Sequence, residues 1–299
     1  MALNYFTARG ETLVLDDALR RQVRGSFVEC DEGLTHYELA GPQDGELVMM
    51  VGGLTIPLFY WDAVVADLYD RGLRTLTFSA YGRGYSDRVV GKYDEQMFVR
   101  QASDLVDRLN VEPKHTVGSS MGALIAMAFA RQRQTPLSTL MIIGPAGLDN
   151  ATPRAAALLN VPGLGAAIGA RFGPAMLEKH LGHNLSDPEL TAALSKMIRT
   201  AYSVEGSMYA LCATVANFPL SGRQSLYRDI GASPIPTLLV WGNEDQVTPA
   251  AHLPEAEELL KPARVELVSE CGHMVPYQMP ALTAAFIAEF ATAHRGVDK

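Results

Sequence analysis

Short runs of apolar and β-branched residues alternate with helix-length amphipathic segments along most of this chain. That alternation restricts it to a mainly parallel sheet crossed by helices. Strands are expected at 27–30, 34–40, 47–51, 75–78, around Thr116 and Val117, and at 140–143, 238–241 and 265–268. Only Asp31, Glu32 and Gly33 separate the first two, so the sheet should begin as an antiparallel hairpin. Between Asp94 and Asn110 the apolar residues Phe98, Ala102, Leu105, Val106 and Leu109 recur at spacings of three and four, with Asp94 as N-cap of one amphipathic helix. Residues 121–134 begin apolar on all sides, as a helix buried against a sheet would.

From residue 147 the strand rhythm stops. The stretch is rich in Ala, Leu and Gly, is broken by Pro153, Pro162, Pro174, Pro188 and Pro219, and reads as several short helices. Strand rhythm resumes at Pro236. The expected organisation is therefore an α/β core made of residues 1–146 and 233–299, with a helical insertion over 147–232 after the sixth strand.

Charge and cysteine content exclude several function classes. A formal charge of -8 opposes general nucleic-acid binding, which needs a concentrated Lys/Arg surface, and the Arg20, Arg21 and Arg24 cluster beside Asp16 and Asp17 reads as a solvated face. The 3 cysteines, Cys30, Cys212 and Cys271, are scattered and lack CxxC spacing, so neither a disulfide framework nor a metal site is expected. The first residues lack a basic segment followed by an apolar one, and every apolar stretch is interrupted before bilayer length. A cytoplasmic location without stable membrane insertion is the expectation, and a homodimer is left open.

Gly118-Ser119-Ser120-Met121-Gly122 matches GxSxG, directly after an expected strand and directly before an expected helix. Small residues two positions either side let the chain reverse in a strained turn that pushes the Ser120 hydroxyl outward, while Met121 supplies a backbone N–H at a helix N-terminus. A serine hydroxyl is a poor nucleophile at neutral pH and needs a base, itself fixed by a third group. Of 7 histidines, His273 is the candidate base: it follows the last strand in a loop, Gly272-His273-Met274, ahead of a C-terminal helix. His36 and His115 fall within strands, and His180, His183, His252 and His294 on helical or surface segments. Asp245, in the loop after the strand at 238–241, is the candidate acid, with Glu244 and Asp149 as alternatives.

With these residues in place the sequence resembles the α/β-hydrolase superfamily, particularly bacterial carboxylesterases, monoacylglycerol-lipase-like enzymes and carbon–carbon bond hydrolases. The likeness is carried by Gly52-Gly53-Leu54, Tyr81-Gly82-Arg83-Gly84-Tyr85-Ser86-Asp87, Gly118 to Gly122, Gly242 to Asp245 and Gly272-His273. Two residues depart from the pattern: Gly52 stands where the loop commonly has histidine, and Ser79 where the fourth strand commonly ends in aspartate.

The resemblance implies an eight-stranded, mostly parallel sheet with flanking helices and a helical cap. It implies a catalytic triad of Ser120, Asp245 and His273 and an oxyanion hole formed by the amides of Leu54 and Met121; a plain strand-to-helix turn is the alternative for Gly52-Gly53. The expected reaction is hydrolysis of a small apolar ester through an acyl-enzyme, without metal or organic cofactor. Gly53, Ile56 and Phe59 are expected at the substrate, with walls from insertion residues such as Leu158, Phe172, Met176 and Leu211. Cleavage of a carbon–carbon bond in a vinylogous diketone, or ligand sensing with weak turnover, would use the same residues.

Overall fold

Strands form where the apolar runs fall, to within a residue or two. In a computed structural model, which describes residues 5–149, 158–159, 161, 163–181, 185 and 187–295, they are β1 (Ser26–Cys30), β2 (Gly33–Ala40), β3 (Leu47–Val51), β4 (Arg74–Phe78), β5 (His115–Ser119), β6 (Thr139–Ile143), β7 (Thr237–Gly242) and β8 (Arg264–Val268). Cys30 pairs with Gly33, so the hairpin turn is Asp31 and Glu32 alone, and Gly33 belongs to the strand.

The sheet order is β1-β2-β4-β3-β5-β6-β7-β8. β2 is antiparallel to both neighbours, and every pairing from β4 to β8 is parallel. The chain steps from β3 outward to β4, then returns to place β5 on the other side of β3. This reversal leaves the loops after β3 and β5 side by side, at the kind of switch point where open α/β sheets hold ligands. Val51 and Gly118 are the last pair between the two strands; Val51 ends β3, and Ser119 ends β5 one residue later.

Side chains alternate across the sheet. On β3, Leu47, Met49 and Val51 join one core layer, and Val48 and Met50 the other. Burial on both faces explains why the parallel strands read as continuous apolar runs.

The helices are α1 (Asp17–Arg20), α2 (Asp62–Asp70), α3 (Glu95–Arg108), α4 (Met121–Gln132), α5 (Leu164–Leu181), α6 (Pro188–Ala201), α7 (Ser207–Asn217), α8 (Gln224–Gly231), α9 (Leu253–Leu260), α10 (Val275–Gln278) and α11 (Pro280–Ala293). α3 and α4 cover one face of the sheet, α2 and α11 the other. Asp94 caps α3 as expected, its Oδ1 accepting from Met97 N at 3.0 Å.

Helices α5 to α8 occupy the chain between β6 and β7. α8 lies inside the stretch expected as the insertion, yet Leu226, Tyr227 and Ile230 pack into the same core layer as α3 and α4. α5 turns Gly165, Gly169, Gly173, Leu177 and Leu181 inward at four-residue spacing. A Cβ on Gly169 would lie 2.3 Å from the Phe6 ring and 3.0 Å from Cys212 Sγ, so glycine permits close packing on the N-terminal segment and α7. That segment runs beside the same helices: Thr12 and Leu13 N–H donate to Ser203 O, and the Glu11 carboxylate accepts from Met208 N at 2.6 Å and Gly206 N at 3.2 Å, capping α7.

Candidate active site

Backbone crowding forces the small residues around Ser120. A Cβ on Gly118 would sit 2.4 Å from Gly122 O, and one on Gly122 would sit 2.3 Å from Val51 O and 2.5 Å from Gly52 O. The turn between them holds Ser120 at φ 58°, ψ -122°, a conformation that side-chain-bearing residues adopt only where their surroundings impose it. Ser120 N donates to Ile143 O at 3.0 Å, pinning the turn to β6. Ser119 and Met121 are buried, whereas Ser120 keeps partial exposure.

Gly53 lies against this turn: its Cβ would be 3.2 Å from Ser120 Cβ and 3.6 Å from Ser120 Oγ. Ile56 N donates back to Gly53 O at 3.4 Å, which makes Leu54 and Thr55 the central residues of a β-turn. Among the described residues Leu54 N–H has no protein acceptor, and Met121 N–H, at the first position of α4, has no intrahelical acceptor either. Two free donors thus flank the serine. Ile56 is buried beneath the loop, with its Cγ2 3.2 Å from where a Gly52 Cβ would stand.

His273 Nδ1 and Asp245 Oδ2 are 2.7 Å apart, and both side chains are essentially inaccessible. Asp245 Oδ1 accepts from Val247 N and Thr248 N, each at 2.8 Å, so two backbone donors fix the carboxyl group in place. With Nδ1–H donated to Asp245, the neutral imidazole carries its lone pair on Nε2. Gly144 connects this pair to the serine turn. It follows Ile143, the acceptor of Ser120 N, and its Cβ would lie 3.3 Å from Asp245 Oδ2 and 3.5 Å from His273 Nδ1.

The structure separates the alternatives that sequence left open. Glu244 is exposed while Asp245 is buried. Asp149 pairs instead with His252 at 3.0 Å on the surface. His36 stacks on Phe27, and His115 Nδ1 meets Thr139 Oγ1 at 2.8 Å inside the sheet; His183 lies outside the described residues. Cys271, two residues from His273, is no competing nucleophile, because burial and the nearby Asp245 charge push its thiol up to about 12.

The Phe59 ring packs against His36, Tyr85 and the Arg24 guanidinium, in an aromatic cluster beside the β1–β2 hairpin. The 3-10 turn Leu58–Trp61 turns Phe59 outward while Leu58, Tyr60 and Trp61 go inward. The insertion residues also divide. Leu177, Met208 and Leu211 are buried in a core cluster, whereas Leu158, Val161, Leu164, Phe172 and Met176 are exposed.

Three residues support the site in roles that the sequence did not reveal. Thr248 Oγ1, with one proton to give, stands 2.8 Å from Asp245 Oδ2, 3.1 Å from Gly144 O and 3.1 Å from His273 Nδ1. Its place three residues after the acid was the available signal, since Asp and Thr at that spacing bond within a turn. Ser79 Oγ accepts from Leu58 N at 3.1 Å, and a Gly84 Cβ would be 2.3 Å from the same oxygen, so the hydroxyl ties the start of the 3-10 turn to the end of β4 and position 84 must stay without a side chain. Arg83 is fully buried and donates to Leu54 O at 2.7 Å.

Residues 46–280 match the sequence model of a family described as alpha/beta hydrolase fold. The chain is 27% identical over 271 residues to 2-hydroxy-6-oxo-6-phenylhexa-2,4-dienoate hydrolase of Comamonas testosteroni, covering 82% of this chain and 86% of that one. It is 25% identical over 204 residues to a monoacylglycerol lipase of Homo sapiens, covering 64% and 58%. Among solved structures, a thermophilic esterase from Thermogutta terrifontis superposes with a TM-score of 0.76 at 18% identity, covering 91% of this chain and 100% of the esterase. Among the described residues no helix is long and apolar enough to cross a membrane.

Proposed function

We propose, from the premise that this chain belongs to the alpha/beta hydrolase family, that it is a serine hydrolase cleaving a carboxylic ester with an apolar, small-to-medium acyl or alcohol group. The observation that carries the reading is the buried 2.7 Å His273–Asp245 pair beside the strained Ser120 turn. His273 Nε2 takes the Ser120 proton as Oγ attacks the ester carbonyl. The carbonyl oxygen becomes an oxyanion that accepts from the Leu54 and Met121 amides. Collapse expels the alcohol, protonated by His273, and leaves an acyl-enzyme on Ser120. Water, deprotonated by the same imidazole, then releases the acid and restores the serine. Asp245 keeps the ring oriented and stabilises the imidazolium throughout. The mechanism calls on no metal or organic cofactor, and within residues 147–232 helices α5 to α7 serve as the cap over the site, α8 belonging to the core.

Apolar specificity rests on Gly53, Leu54 and Ile56 beside the serine and on the buried cap residues Leu177, Met208 and Leu211. A panel of p-nitrophenyl esters of increasing chain length, run with a dienol-diketone, tests the reading. Butyrate to octanoate esters should exceed acetate in kcat/KM, each methylene contributing up to about 0.8 kcal/mol while space remains. Equal values for acetate and hexanoate would contradict the apolar pocket. Preference for the dienol-diketone over every ester would favour carbon–carbon bond hydrolysis, the second reading, which the Comamonas testosteroni relative supports. Saturable binding without turnover would instead favour ligand sensing.

A further inference from the structure

Arg83 is 0% exposed, and among the described residues no carboxylate pairs with it. A buried cation without a counter-ion is a costly arrangement. Its guanidinium is spent on three neutral acceptors from different parts of the fold. Nε donates to Leu54 O at 2.7 Å, Nη1 to Tyr81 O at 3.0 Å and Nη2 to Thr214 Oγ1 on α7 at 2.9 Å. The Phe98 ring lies 5.4 Å from its central carbon. Gly82 and Gly84 hold the loop in place around it, both at positive φ; a Cβ on Gly82 would lie 2.2 Å from Ala210 Cβ, again on α7. The side chain therefore has one geometry.

The turn it grips is otherwise weakly held. Gly52 and Gly53 offer no side chains, the closing Ile56 N to Gly53 O bond is long at 3.4 Å, and Thr55 Oγ1 is buried without a partner. The Leu54–Thr55 peptide is the central peptide of the turn, the unit whose orientation distinguishes one turn type from another. Among the described residues its carbonyl has no hydrogen-bond donor other than Arg83. A bond from a charged donor is stronger than one between neutral groups.

We infer that Arg83 is a positioning residue for the reaction on Ser120: by holding Leu54 O it fixes the Gly53–Ile56 turn and so aims Leu54 N–H at the developing oxyanion. The inference rests on the serine-hydrolase reading. It assigns Arg83 no contact with substrate; its effect is exerted wholly through the Leu54 peptide. The Thr214 bond is secondary, seating α7 on the same guanidinium.

The test compares Arg83→Met, Arg83→Lys and Thr214→Val with wild type on the best p-nitrophenyl ester. Each variant is also titrated with a trifluoromethyl ketone, which forms a tetrahedral oxyanion adduct, and with the carboxylic acid product, which does not. Arg83→Met should lower kcat roughly 10- to 100-fold with KM within about threefold, since loss of an oxyanion donor itself costs more than loss of its alignment. Ketone affinity should fall in parallel while product affinity holds. Arg83→Lys keeps the buried cation but lacks the planar fork, and should give a smaller loss with the same selectivity for kcat and ketone. Thr214→Val leaves the Leu54 bond intact and should keep kcat within about threefold. If Arg83→Met does not fold, Arg83→Lys decides. Unchanged kcat and ketone affinity in the folded Arg83 variants would overturn the inference, as would a Thr214→Val loss equal to theirs or weakening of ketone and product alike. A wild type that turns over none of the esters would bring down the hydrolase reading and this inference together; an active wild type with indifferent Arg83 variants would remove the inference alone.

Discussion

Gly122 faces the carbonyl oxygens of Val51 and Gly52, which belong to a neighbouring strand and its loop and cannot yield as a side chain would. Gly122→Ala should therefore destabilise the fold by about 1–3 kcal/mol, the usual range for overpacking. Urea unfolding measures this, and an unchanged midpoint would show that the elbow has slack. Thr248 supports the site from the other end. Thr248→Val leaves Asp245 its two backbone donors but removes the hydroxyl from Asp245 Oδ2 and His273 Nδ1. We expect kcat to fall about tenfold, in line with loss of one hydrogen bond of roughly 1.4 kcal/mol, with KM little changed. Equal kcat would make Thr248 a spectator. At this scale the motif residues were legible in the sequence because each is fixed by local backbone demands. Asp245 was the candidate acid, but Glu244 stayed open beside it, because adjacent acids differ only in which one the loop turns inward. The contact of Phe59 with His36 was not legible, because nothing local reveals which way a 3-10 turn will direct its side chains.

Elements were read more readily than single side chains, since the eight described strands announce themselves by apolar and β-branched residues and α3 by its spacing and its Asp94 cap. What joins the elements was less visible. The N-terminal segment is a strap, and its partners Ser203, Gly206 and Met208 lie almost two hundred positions along the chain, beyond any local periodicity. The β1–β2 hairpin offers a test of element packing. His36 is wholly buried among Phe27, Phe59 and Tyr85, and burial pushes its imidazole down to about 4, against the pull of the Arg24 carbonyl it contacts. The unfolded chain therefore binds this proton first as pH falls. Stability from neutral His36 is fully present above about 6.5 and is lost progressively as pH drops toward 4, up to about 3 kcal/mol in all. Urea titrations across that range should show the decline in the wild type and a shallower one in His36→Gln. Parallel curves would mean that the hairpin tolerates a charged imidazole.

For the whole molecule, the sheet's reversal between β3, β4 and β5 places the Gly53 loop beside the Ser120 turn, while β6 and β7 deliver Gly144 and Asp245 to the same end. The fold class was legible because a parallel sheet buried on both faces leaves a strong pattern. The run of helices between β6 and β7 was legible as a break in rhythm, but its surface was not: an apolar residue in a helical block can equally face a pocket, a core or solvent, and Phe172 and Met176 face solvent. The central claim is that one serine of this chain is activated. Phosphonylation by a fluorophosphonate probe, read by intact mass and peptide mapping, tests it most directly. The wild type should take up one label at Ser120, His273→Ala should react at least about a hundredfold more slowly because the base is missing, and Ser120→Ala should take up none. Labelling that persists in Ser120→Ala, or that disappears with Ser119→Ala alone, would contradict the account.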